Sequence, residues 1–117
     1  MEKSKIGAYL GFCVRSRHIL FGVDNVEKQR KNVFLLLADE QISENSLKVM
    51  IKAKEKFACP LLITDKGTLG ELVHRPTVKA VGVTDKNLAS AILSVSASEL
   101  QLKLYSGGNN ERYGKEI

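Results

Sequence analysis

The residues whose types and spacing could do chemistry lie close together in the first quarter of the chain, as Gly22-Val23-Asp24-Asn25 followed by Lys28. A glycine permits a tight turn, and a helix that starts directly after it leaves its first backbone N–H groups without intrahelical partners. Aspartate accepts hydrogen bonds, asparagine both donates and accepts, and lysine supplies a positive charge. Such groups can contact base edges and phosphates, so the segment predicts an RNA-binding surface.

The same segment also has a purely structural interpretation. Asp24 and Glu27 have the spacing of a capping box, in which two side chains satisfy the first N–H groups of a helix. Lys28, Arg30 and Lys31 would then form a solvated helix end that complements the helix dipole. The residues by themselves leave both interpretations open.

The net charge of +5 is unevenly distributed over the 117 residues. Residues 1–31 hold seven Lys/Arg against three Asp/Glu, whereas residues 32–65 hold four against five. A basic cluster and a pI near 9.3 favour a polyanionic partner such as nucleic acid. Within this basic quarter, Lys31 is a further candidate for RNA contact, and Arg15 and Arg17 either hold phosphate or flank a turn.

Catalysis and metal binding are disfavoured by the sequence. His18 and His74 have no partner at ligand spacing, and Cys13 and Cys59 are predicted to be small buried apolar residues. The chain also lacks a nucleotide-binding glycine fingerprint, a Walker lysine and a nucleophile elbow. We therefore expect a protein that is not an enzyme and that has no cofactor, no metal and no small-molecule substrate.

The hydropathy of the chain gives no membrane signal. The longest apolar run, residues 33–38, is far too short to cross a bilayer, and the first residues do not resemble the core of a signal peptide. The sequence predicts a cytoplasmic protein without a membrane partner. Its oligomeric state cannot be read from these patterns.

Hydrophobic periodicity predicts the elements that must position the glycine turn. A first helix places five residues on one buried stripe, namely Ile6, Tyr9, Leu10, Cys13 and Val14. A short strand at residues 19–21 precedes the turn, and a second helix runs to about Lys31. Three mostly continuous apolar runs, residues 33–38, 61–64 and 78–83, are typical of strands covered on both faces and mostly paired in parallel.

The remaining signals complete an alternation of helices and strands. Ser43 can cap a third helix, residues 68–74 form a shorter one, and Thr84-Asp85 leads into the last. The order αβαβαβαβα predicts an α/β protein, a three-layer α/β/α sandwich with a central four-stranded mixed sheet. Residues 1–98 form one domain and residues 99–117 a flexible tail, with a short edge strand at 99–105 as the alternative.

With these elements in order, the chain resembles the kink-turn-binding ribosomal protein superfamily, the L-seven-Ae and L-thirty-e group, and especially its bacterial YlxQ-like members. The resemblance covers nearly all of residues 4–97. It is carried by the pattern Gly22-x-Asp24-Asn25-x-x-Lys28 and by four supporting segments: Leu10-Gly11-Phe12-Cys13-Val14-Arg15, Leu35-Leu36-Leu37-Ala38-Asp39-Glu40, Leu69-Gly70 and Ala80-Val81-Gly82-Val83-Thr84-Asp85.

The resemblance implies RNA binding without catalysis, on ribosomal or other structured RNA. Gly22 and Val23 would permit close approach, Asp24 and Asn25 would face the sheared G·A pairs of a kink-turn, and Lys28 would reach the backbone. Relatives on the same fold bind protein partners instead, so a protein-interaction module is the alternative. The chain has Asp24-Asn25 where strong kink-turn binders usually have Asn-Glu.

Overall fold

The computed structural model describes residues 5–30 and 32–96 and the backbone of residues 102–104. Helices and strands alternate along the chain, as the sequence predicts. The elements are α1 (Lys5–Ser16), β1 (Ile19–Phe21), α2 (Val23–Lys28), β2 (Leu35–Asp39), α3 (Glu44–Phe57), β3 (Leu61–Thr64), α4 (Thr68–Leu72), β4 (Ala80–Val83), α5 (Lys86–Ser96) and β5 (Leu102–Leu104).

The strands form one sheet in the order β1-β4-β2-β3-β5. β2 and β3 are parallel, whereas β1–β4, β2–β4 and β3–β5 are antiparallel, so the sheet is mixed. The expectation of mostly parallel pairing was wrong. A parallel crossover must carry the chain back along the sheet, but α4 has only five residues, and the chain enters β4 at the end where it left β3.

Two apolar clusters cover the two faces of the sheet and confirm the three-layer sandwich. Along β2, Leu35 and Leu37 point into the cluster beneath α1 and α5, while Leu36 and Ala38 point into the cluster beneath α2 and α3. This alternation follows from the period of two in a strand. The continuous apolar runs in the sequence therefore reflect a sheet covered on both faces.

Helix α3 is fixed at both ends by local chemistry. The Oγ of Ser43 accepts a hydrogen bond from the N–H of Ser46 at 3.1 Å, which confirms the predicted cap. At the other end, Ala58 takes a left-handed conformation with φ 52°, and its N–H bonds to carbonyls of the last turn. With both ends fixed in this way, α3 gives α2 a long helix to pack against.

The end of the chain adds one strand to the four predicted. β5 pairs with β3, with Leu104 opposite Leu62, which matches the edge-strand alternative for residues 99–105. Residues 99–101 and 105–117, the rest of the predicted tail, lie outside the described residues. In the part of the chain that the structure describes, no helix is long and apolar enough to span a membrane.

Both cysteines are buried, as predicted, and neither forms a disulfide. Burial raises the pKa of the Cys13 thiol to about 11, and the negative charge of Asp85 adds to the effect. Burial likewise raises the pKa of Cys59 to about 11. At pH 7 roughly one part in ten thousand of each thiol is thiolate, the form that reacts.

We therefore expect both thiols of the native protein to resist iodoacetamide at pH 7. Intact-mass measurement should show unmodified protein over a period in which the guanidinium-unfolded chain takes up two alkyl groups. Alkylation of either cysteine in the native protein at the unfolded rate would contradict its buried position.

Candidate nucleic-acid interface

The predicted glycine turn lies at one end of the sheet, beside the segment that enters β4. The N–H of Gly22 donates to the carbonyl of Ala80 at 2.8 Å, which continues the β1–β4 ladder by one bond. The N–H of Asp39 donates to the carbonyl of Lys79 at 2.9 Å on the other side of β4. Residues 22 and 79, distant in sequence, are thus brought to the same edge.

The turn itself depends on the backbone of Gly22. This residue is the N-cap of α2, with φ 87° and ψ 153°, a backbone conformation that residues other than glycine essentially never adopt. No side-chain cap bond is made there, so the predicted capping box of Asp24 and Glu27 is wrong. With Asp24 as its N-cap the helix would begin at Asn25, whereas it begins two residues earlier, at Val23, so Asp24 lies within its first turn.

The exposed face of α2 carries Asp24, Asn25 and Lys28 together, because residues three and four apart lie on one side of a helix. The amide nitrogen of Asn25 donates to the carbonyl of Phe21 at 2.8 Å. This bond fixes the side chain over the turn and leaves its amide oxygen as the acceptor available to a ligand. Val26, on the opposite face, is fully buried and anchors the helix.

Val23 has a mixed position at the start of α2. It is half-buried and packs against the core cluster beneath α2 and α3, and it also lines the cavity beside the turn. Its main role in the described geometry is to seat the first turn of α2. Contact with RNA would involve only its exposed part.

The C-terminal end of α2 is held by a lysine from α3. The Nζ of Lys56 donates to the carbonyl of Gln29 at 3.0 Å and to that of Glu27 at 3.5 Å, and it lies 4.9 Å from the centre of the Phe57 ring. A cation at unsatisfied C-terminal carbonyls complements the helix dipole. α2 has only six residues, and Lys56 stabilises it by bonding to carbonyls at its C-terminal end.

A cavity of about 310 Å³ lies beside the glycine turn, between the start of α3 and the segment entering β4. Its lining includes Ser46, Thr77 and Lys79, which the sequence analysis did not propose. One signal could have identified Lys79: it is the single charged residue in the run 78–83. No spacing in the sequence predicts that Ser46 or Thr77 lies beside Gly22.

A buried carboxylate organises the backbone behind this edge. Asp39 is fully buried at the end of β2, and its two oxygens accept from the N–H of Gln41 at 2.9 Å and, at 3.4 Å each, from the hydroxyl of Thr64 and the N–H of Leu69. It thus connects β2, β3 and α4. Hydrogen bonding of this kind keeps a buried carboxylate satisfied.

Two other basic residues proposed from sequence, Arg15 and Arg17, lie on the segments that precede β1. Arg15 is on α1, with its guanidinium 5.0 Å from the centre of the Phe12 ring. Arg17 is in the turn before β1, with φ 63°, and it is separated from Gly22 by His18 and the three residues of β1, which alone span about 10 Å. Lys31 lies outside the described residues.

Three cations surround the glycine turn without a carboxylate partner among residues 5–30 and 32–96: Lys28, Lys79 and Arg75. Arg75 was not proposed from sequence, and its guanidinium stacks 4.2 Å from the centre of the Phe21 ring, directly before the turn.

The described residues contain no group of His, Cys, Asp and Glu that could hold a metal ion.

Replacing Gly22 by alanine should destabilise the fold by about 1–3 kcal/mol, because the backbone conformation is strained for any residue with a Cβ. A Cβ at this position would meet nothing within 4 Å, so the loss would come from the backbone alone. Urea denaturation of the purified variant measures it.

Gly11→Ala is the matched control. Gly11 lies within α1, where a Cβ meets only the flexible end of Arg15, so alanine should leave stability unchanged or raise it by up to about 1 kcal/mol. Equal stability of Gly22→Ala and the native protein would show that the turn does not require the described conformation.

No protein-family model and no curated protein matches this chain. Among solved structures, the chain is similar to a protein with unknown function from Bacillus halodurans. The TM-score is 0.71 and the sequences are 20% identical, over 80% of this chain and 97% of that one. At this identity the likeness shows that the two proteins share a fold.

Proposed function

We propose that the chain is a non-catalytic, cytoplasmic RNA-binding protein that recognises structured, kink-turn-like RNA, in association with ribosomal or other folded RNA. The observation that carries this proposal is the surface around Gly22: a glycine turn with open space above it, next to an exposed asparagine and three unpaired cations. The resemblance to kink-turn-binding ribosomal proteins points to the same surface.

The side chains of this surface determine which of its residues would contact phosphates and which would contact bases. Lys28, Lys79 and Arg75 supply positive charge for phosphates and carry no sequence information. The oxygen of Asn25 can accept from an exocyclic amino group, such as N2 of guanine or N6 of adenine in a sheared G·A pair. Gly22 lets the backbone of the nucleic acid approach closely because no side chain projects from the turn.

Affinity for a kink-turn RNA should fall steeply with salt. Three phosphate contacts release counterions and give a slope of about −2 to −3 in a plot of log affinity against log salt concentration. A gel-shift titration from low to physiological salt measures this slope, with a plain RNA duplex in parallel. Undetectable or salt-independent binding of both RNAs would exclude the proposal and favour the protein-interaction alternative.

Asn25→Ala should cost about 1–3 kcal/mol on an RNA with tandem G·A pairs and much less on the same RNA with Watson–Crick pairs in their place. Lys28→Ala should instead weaken both RNAs by similar factors and reduce the salt slope by about one unit. Both effects are read from the same binding titrations.

Lys86→Ala is the matched control for Lys28. Lys86 begins α5 beyond the other end of β4, where the N–H of Thr84 bonds to the carbonyl of His18, so its loss should leave both affinities nearly unchanged. A thermal melt of each variant separates binding from folding, since Asn25→Ala also removes the bond to Phe21. Equal loss for Asn25→Ala on both RNAs would show that α2 does not contact base edges.

A further inference from the structure

A second cavity, of about 390 Å³, lies on the other side of Arg75, between α1 and the turn that follows α4. Its walls are partly apolar, from Val14, Leu72 and Val73. Three basic side chains, Arg15, His74 and Arg75, complete the lining. A concave apolar site with a few converging polar groups is the usual form of a ligand site.

The two guanidinium groups of this cleft are pre-organised by aromatic rings. Arg15 lies over Phe12, an exposed residue of α1, and Arg75 lies over Phe21 of β1. Neither is paired with a carboxylate in the described part of the chain, so both keep their N–H donors for a ligand. An arginine fork binds phosphate oxygens in a fixed geometry, and stacking reduces the entropy lost on binding.

The wall opposite α1 is rigid. The N–H of Arg75 donates to the carbonyl of Gly70 at 2.9 Å, and that of His74 to the carbonyl of Glu71 at 3.2 Å. A Cβ on Gly70 would lie 2.9 Å from the carbonyl oxygens of both Arg75 and Pro76, so the turn packs directly on the backbone of α4. His74 is held there with φ 58°, a left-handed conformation uncommon for residues other than glycine.

We propose that this cleft binds one nucleotide unit, with its phosphate on Arg15 and Arg75 and its planar base over the apolar wall. The charges select an anion, and the apolar wall selects an anion that carries a flat hydrophobic group. The site stands on its own contacts and rests on the proposed function only in taking an unpaired nucleotide of RNA, in preference to a free nucleotide, as the natural source. It is separate from the surface around Gly22, which it meets at Arg75.

The test is an NMR titration of amide shifts in the full chain with two probes, uridine monophosphate and a single-stranded uridine tetranucleotide, each to about 10 mM. We expect saturable shifts at Gly11, Val14 and His74. Shifts with the monophosphate would show that one nucleotide suffices, and shifts with the tetranucleotide alone would assign the site to an RNA strand.

Arg15→Gln should weaken probe binding about tenfold or more, because it removes a charge-assisted contact in the cleft. Arg17→Gln makes the same charge change two residues away, outside the cavity lining, and should weaken binding less than about threefold. Equal effects of these two variants, no saturable shift with either probe, or shifts confined to Gly22 and Asn25 would overturn the proposal. Each variant's amide spectrum also shows whether it is folded.

This outcome is independent of the proposed function. If structured RNA fails to bind while the probes still shift the cleft, the surface around Gly22 is not an RNA site and the cleft remains one. If structured RNA binds with sensitivity to Lys28→Ala, and the probes leave the cleft unshifted, only the cleft is excluded.

Discussion

The rest of the structure depends on the insertion of β4 between β1 and β2. Val81 lies opposite Phe21 on one side and Leu37 on the other, and all four residues of β4 are buried. Because β4 runs antiparallel to both neighbours, its first residue, Ala80, lies beside Gly22, directly after the end of β1. The chain that leads into β4 must therefore cross in front of the glycine turn, and it brings Thr77, Lys79 and Arg75 with it.

The polar groups of this edge divide into those that hold the fold and those left for a ligand. The side chain of Asp39 bonds to the backbone of α4, and that of Lys56 bonds to the backbone at the end of α2. The charged groups of Lys28, Lys79 and Arg75 form no side-chain hydrogen bond or ion pair within the described residues. Unpaired charges at a surface contribute little to folding, so their grouping around Gly22 supports the binding role that we propose for this surface.

The sequence predicted what depends on local chemistry. The apolar runs of β2 and β3, the cap at Ser43 and the turn at Gly22 could all be recognised from residue types and spacing. The sense of strand pairing could not, because antiparallel and parallel strands in a doubly covered sheet have the same apolar pattern. Arg75 was missed because only the close packing of its turn on Gly70 brings it to α1, and periodicity carries no signal for such a contact.

The pairing of β1 with β4 also affects when this part of the fold can form during synthesis. Ile19 lies opposite Val83, 64 residues later in the chain (83 − 19), and among the strands that the structure describes β1 pairs with β4 alone. During synthesis, residues 19–28 emerge early, yet their partner strand is made only after most of the domain has left the ribosome. Contacts so distant in sequence close late, since the chain between them must be ordered first. A nascent chain would thus complete its glycine-turn edge only when the whole sheet can form, so the binding surface proposed for this edge would be assembled among the last parts of the fold.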